Sequence, residues 1–147
     1  YIENFINSNL DDSNSDFVSD LIYFAADFGL DLSYKKILKL LIIEEVDNDC
    51  LVLACLEYLG VNIKLLYIDE IVKNLEYVRD NTVYHQNEQL LASLILFRIT
   101  HKSNYLDFII ELIENDSSNL EFLKNKLKEK SYDFIYFNIP NVLRDFK

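Results

Sequence analysis

Two stretches decide the fold of this chain: VLACLEYLGVNIKLLYIDEIVKNLE at residues 52–76 and LLASLILFRITHKSNYLDFIIELIE at residues 90–114. Laid over one another at an offset of 38, they share eight identities in 25 positions. Leu53 meets Leu91, Ala54 meets Ala92, Leu56 meets Leu94, Lys64 meets Lys102, Tyr67 meets Tyr105, Asp69 meets Asp107, Ile71 meets Ile109 and Glu76 meets Glu114. Each copy opens on a segment apolar almost all round, which predicts a buried helix, and continues into an amphipathic one. In the first copy Ile68, Ile71, Val72, Leu75 and Val78 share one face and Asp69, Glu70, Lys73 and Glu76 the other. In the second, Leu106, Ile109, Ile110 and Ile113 repeat the inward set behind a Ser103 cap.

Working outward, Phe17, Val18, Leu21, Ile22, Phe24, Ala25 and Phe28 follow helical spacing from Asp16, and Gly29 stands where a helix stops. Ser33 is expected to cap a second helix, with Ile37, Leu38, Leu40, Leu41 and Ile42 inward, that ends near Glu45. The buried helix of the first copy is expected to start at Asp47 or Asn48 and to end at Gly60. A polar connection, Arg79 to Asn87, then leads into the second copy. Residues 1–15 read as a short helix or turn followed by a loop. Ser118 or Asn119 caps a last helix with Leu120, Phe122, Leu123 and Leu127 inward and a comb of Lys124, Lys126, Lys128 and Lys130. The aromatic segment Tyr132 to Phe137 reads as an extended cover. Two Gly and one Pro in 147 residues are too few for the turns of an all-β domain, so one all-α domain over 1–147 is expected.

A period near 38, built as a buried helix followed by an amphipathic one, resembles the HEAT and armadillo repeats across Asp47 to Glu114, with Asp16 to Glu45 as a shortened unit. The resemblance implies a short right-handed stack of about three antiparallel helical hairpins with a C-terminal capping helix and tail. It also implies protein binding along the second helices.

Charge narrows the functional classes. The chain carries 25 Asp and Glu against 14 Lys and Arg, a net −11, and the charge is segregated. Residues 1–116 hold 21 acids and 8 bases, and residues 117–147 hold 4 and 6. The first 34 residues contain seven acids, Glu3, Asp11, Asp12, Asp16, Asp20, Asp27 and Asp31, and no Lys or Arg. Such a balance repels phosphate backbones and favours a basic protein partner over nucleic acid. The scattered short apolar clusters argue against a membrane span. Acids rather than bases around the first apolar cluster argue against a leader, which makes a cytoplasmic setting the expectation.

Chemistry-bearing constellations are sparse. Cys50 and Cys55 stand on different faces of one helix, which disfavours a disulfide between them, and no Cys/His spacing suits zinc. His85 in a loop and His101 at a helix end read as surface or capping residues. Glycine-rich phosphate loops and the nucleophile-elbow and metalloprotease patterns are absent. The cluster Glu44, Glu45, Asp47 and Asp49 lacks the calcium-loop pattern, and Asp47 and Asp49 suit a first helical turn. The expectation is therefore no metal, no cofactor and no small-molecule substrate; an acid/base enzyme is the weakest of three readings.

Binding is expected on the outward positions of the amphipathic helices: Asp69, Glu70, Glu76, Tyr77, Asp107, Glu111 and Glu114. Asp69 with Asp107 and Glu76 with Glu114 would form two carboxylate rows, and Tyr77 would act as an anchor. A small, acidic, Tyr-rich helical protein is similar in kind to the immunity proteins that neutralise contact-dependent or other polymorphic bacterial toxins. That resemblance implies an inhibitor covering the basic active site of a toxin, such as a nuclease; the alternative is a HEAT-like adaptor for a cellular protein.

Overall fold

A computed structural model describes residues 1–46 and 50–128, and throughout these the regular structure is helical. The elements are α1 Ile2–Asn9, α2 Ser15–Phe28, α3 Tyr34–Leu40, α4 Leu51–Val61, a 3-10 turn Leu65–Tyr67, α5 Ile68–Asp80, α6 Gln86–Thr100, α7 Ser103–Asn115 and α8 Ser118–Lys128. α2 lies on α4, α4 on α6 and α6 on α8. The remaining helices pack along this row: α1 on α2, α3 on α4 and α5, α5 and α7 on α6, and α7 also on α8. One continuous apolar core runs from Ile6 to Leu123.

The 38-residue period is visible in the burial. Every residue of α4 from Ala54 to Gly60 is buried, and so is every residue of α6 from Leu90 to Leu96. These helices have neighbours on several sides, which is why their sequences show no polar face. α5 buries only Ile71, Leu75 and Val78, and α7 only Tyr105, Ile109 and Ile113, one stripe each. The 3-10 turn Leu65–Tyr67 stands in register with Ser103–Tyr105, the first turn of α7.

Helix ends depart from the expected places for tertiary reasons. α3 stops at Leu40 instead of running to Glu45. The Tyr84 hydroxyl donates to the Leu41 carbonyl at 2.5 Å and accepts the Ile43 N–H at 3.1 Å, engaging two backbone groups that a longer helix would use. α4 has Cys50 at its N-cap and runs past Gly60 to Val61. There Asn62 ends it, taking its N–H to the Tyr58 carbonyl at 3.1 Å and its carboxamide to the Tyr58 hydroxyl at 2.6 Å. Gly29 ends α2 as expected, in the left-handed region at φ 63°. Asn14 caps the start of that helix by accepting the Phe17 N–H. Ser33 occupies the α3 N-cap without a side-chain capping bond. Lys102, in place of Ser103, is the N-cap of α7. Asp116 takes both the N–H and the hydroxyl of Ser118 at the start of α8. The expected tail cover, Lys130, and Asp47 and Asp49 lie outside the described residues.

Buried tyrosines fasten the connections. Tyr58 of α4 donates to the Leu30 carbonyl at 3.0 Å and accepts the Leu32 N–H at 2.9 Å, holding the α2–α3 link. Tyr34 donates to the Asn62 carbonyl and accepts the Lys64 N–H at 3.3 Å, and its ring stacks on Tyr67 with centroids 5.0 Å apart. Tyr84 holds the α3–α4 link as described. Burial pushes the hydroxyls of Tyr34, Tyr84 and Tyr105 up to about 12; at Tyr105 the bond to the Glu76 carboxylate adds to the effect.

Tyr84→Phe leaves the Leu41 carbonyl and Ile43 N–H without their partner and is expected to cost about 1–3 kcal/mol in urea unfolding. Ala54→Leu, at a fully buried site, is expected to cost about 1–3 kcal/mol by overpacking. An unfolded tyrosine ionises near pH 10, whereas these three in the fold hold their protons to about 12. Their contribution is therefore complete below pH 10 and lost as the pH climbs toward 12, which thermal melts across that window will show as a falling midpoint.

Candidate functional site

α7 presents the simplest surface. Asp107, Glu111 and Glu114 are spaced four and three apart, so they form one stripe opposite the buried Tyr105, Ile109 and Ile113. All three are exposed, none has an ion pair among the described residues, and α7 contains no Lys or Arg. Like charges at this spacing oppose the helix slightly, and the buried stripe of α7 offsets them.

On α5, Asp69 and Glu70 occupy the first turn, where the helix dipole favours carboxylates, and both are exposed. Lys73 follows them outward. Tyr77 is partly exposed, its ring edge-on to Tyr84 at 6.0 Å.

Glu76 departs from the expected row. It is half-buried and accepts the hydroxyl of Tyr105, so α5 and α7 are joined there by a partly buried hydrogen bond. Arg79 completes the seam. Its guanidinium lies 5.0 Å from the Tyr105 ring centroid and grips Asp80 side-on, Nε to Oδ1 at 2.7 Å and Nη2 to Oδ2 at 3.1 Å. The expected pairing of Glu76 with exposed Glu114 is thus replaced by pairing with Tyr105, because a half-buried carboxylate needs a donor. Five carboxylates, Asp69, Glu70, Asp107, Glu111 and Glu114, face water.

A second acidic face lies on α2. Asp16, Asp20 and Asp27 are exposed, and α2 too lacks any base. Phe24 and Phe28, expected inward, are exposed beside them with ring centroids 4.5 Å apart. The buried arc is Val18, Ser19, Ile22, Ala25 and Ala26. A helical wheel carries the signal: at about 100° per residue Phe24 falls within about 60° of both Asp20 and Asp27, on the outward arc. The other N-terminal acids serve the fold. Asp11 pairs with Lys36 at 2.8 Å, which holds its carboxyl below the usual range, and Asp31 pairs with Lys64 at 3.1 Å. Glu3 accepts the Asp31 N–H.

Among the described residues no group of three or more His, Cys, Asp or Glu is placed to hold a metal ion. Cys50 is exposed and Cys55 buried, and the two are not joined in a disulfide. No described helix is long and apolar enough to cross a membrane. Comparison of the chain with protein-family models, curated proteins and solved structures gave no match.

Reversing Asp107 and Glu111 to Lys together is expected to move stability by no more than about 0.5 kcal/mol, since neither side chain has a partner to lose. Glu76→Ala strands the Tyr105 hydroxyl and is expected to cost about 1–3 kcal/mol. Parallel denaturation of the two variants separates the solvent-facing row from the seam.

Proposed function

We propose that the chain is a protein-binding inhibitor of the immunity-protein kind, in which carboxylate faces cover a basic surface on a cognate toxin domain such as a nuclease. The supporting observation is that α2 and α7 contain no base and that their six outward carboxylates have no ion pair among the described residues. Charge left uncompensated in this way raises self-repulsion, and an oppositely charged partner relieves it while gaining electrostatic steering. In this reading the helices form a short HEAT-like array, Asp69, Glu70, Asp107, Glu111 and Glu114 supply the steering field, and Tyr77 and the Phe24–Phe28 pair supply the apolar contact that holds the complex. The setting is cytoplasmic, and no cofactor takes part.

A second reading, a HEAT-like adaptor for a cellular protein, is favoured by one observation: the exposure of Phe24, Phe28, Leu65 and Leu66, large apolar side chains suited to a salt-insensitive interface.

The test is capture of partners from the native host on the immobilised full chain, with washes of rising salt and mass spectrometry of each fraction. The inhibitor reading predicts a basic toxin or nuclease released by salt, whose activity the chain abolishes. A housekeeping complex that survives high salt assigns the chain to the adaptor class. Recovery of acidic partners alone contradicts the carboxylate faces as the binding surface.

A further inference from the structure

Arg98 differs from every other base whose side chain the structure describes. Lys36, Lys64, Arg79 and Lys124 each have a carboxylate within 4 Å. Lys35, Lys39, Lys73 and Lys102 lack one but are exposed to water, which solvates an ammonium fully. Arg98 has neither provision. It is only partly exposed, no ion pair or hydrogen bond from the described residues reaches its side chain, and its Nε is shut off from water without an acceptor among them. A half-buried guanidinium that no carboxylate among the described residues meets is an unusual placement in so acidic a chain.

The surroundings give it a use. Arg98 lines a cleft of about 310 Å³ between the α4–α5 connection and the end of α6, and the other walls are Ile63, Leu65, Ile68 and Ile99. Leu65 is 81 % exposed and, with neighbouring Leu66 at 87 %, leaves apolar surface at the cleft that no other part of the described chain covers. A position in the last turn of α6 suits a cation through the helix dipole, but that role is equally met by a solvated side chain and does not account for the apolar walls.

We propose that this cleft is a binding site for a monocarboxylate carried on a short acyl chain, the chain lying on Ile63, Leu65, Ile68 and Ile99 and the carboxylate meeting the Arg98 guanidinium. The match to carboxylate is chemical: the planar guanidinium offers parallel N–H donors at the spacing of two carboxylate oxygens, and with Nε shut off from water the two Nη groups are the donors left to a ligand. A single base suits a monoanion. Phosphate, with a second charge, would lack a second cation among the lining residues. The volume is at the lower end of small-ligand sites, which limits the apolar part to a short chain. The site was not legible in the sequence, because Arg98 follows Phe97 in an ordinary helical pattern and the cleft forms only when the α4–α5 connection packs beside it.

The experiment is a titration of the isotope-labelled full chain with octanoate and, separately, with octan-1-ol, followed by NMR at the Arg98 Nε–Hε and the methyls of Ile63, Ile68 and Ile99. The expected result is a saturable shift of all four probes with octanoate, at least about tenfold weaker with octan-1-ol, and in Arg98→Gln a like weakening at the three isoleucine methyls. Equal response to acid and alcohol would overturn the proposal by showing a cleft indifferent to the carboxylate. Absence of any response, or shifts confined to other residues, would overturn it as well. The comparison of the two ligands on the unaltered chain decides the matter even where Arg98→Gln does not fold.

Discussion

The fold depends on the hydroxyl groups of buried tyrosines meeting the backbone of the inter-helix connections. An all-helical chain with two glycines and one proline has few glycine or proline turns, so its links are irregular and leave buried N–H and C=O groups to be paired. Tyr58, Tyr34 and Tyr84 do this for the links α2–α3, α4–α5 and α3–α4 in turn, each hydroxyl serving as donor and acceptor at once. Each ring also fills core volume, so one residue type sets both the spacing of neighbouring helices and the path of the chain between them. Tyr105 extends the scheme by taking a carboxylate, Glu76, in place of a backbone group.

This division of labour frees the surface. With apolar burial and tyrosine hydroxyls holding the interior, only four carboxylates are used in ion pairs among the described residues, and those pairs engage four of the nine Lys and Arg whose side chains are described. The outward carboxylates of α2 and α7 are then free of structural duty. Their field is long-ranged at low salt and fades over about 10 Å at 0.1 M, which makes it a means of attracting and orienting a partner more than of holding one. In the proposed complex, retention would fall to apolar contacts such as the exposed Phe24 and Phe28 on α2.

Local pattern was enough to read the helical class, the burial of α4 and α6, the single apolar stripes of α5 and α7 and the stop at Gly29, because periodicity and capping are properties of neighbouring residues. It was also enough to place Asp69, Glu70, Asp107, Glu111 and Glu114 on outward faces. The misreadings share a cause. The early end of α3 is set by Tyr84, more than 40 residues away, and the withdrawal of Glu76 by Tyr105, 29 away. The exposure of Phe24 and Phe28 follows from how much of α2 its neighbours cover, and the isolation of Arg98 from which side chains happen to surround it. Of these, only the exposure of Phe24 has a local signature, the outward arc of the helical wheel that it shares with Asp20 and Asp27.

The most direct measurement is the association rate of the captured basic partner with the unaltered chain and with the variant carrying Asp69→Lys and Asp107→Lys, by stopped flow across a salt series. The account predicts a rate that falls steeply with ionic strength for the unaltered chain. It predicts a slower and flatter dependence for the variant, with melting temperatures nearly equal. Identical rates and identical salt slopes for the two proteins would contradict the assignment of binding to these carboxylates.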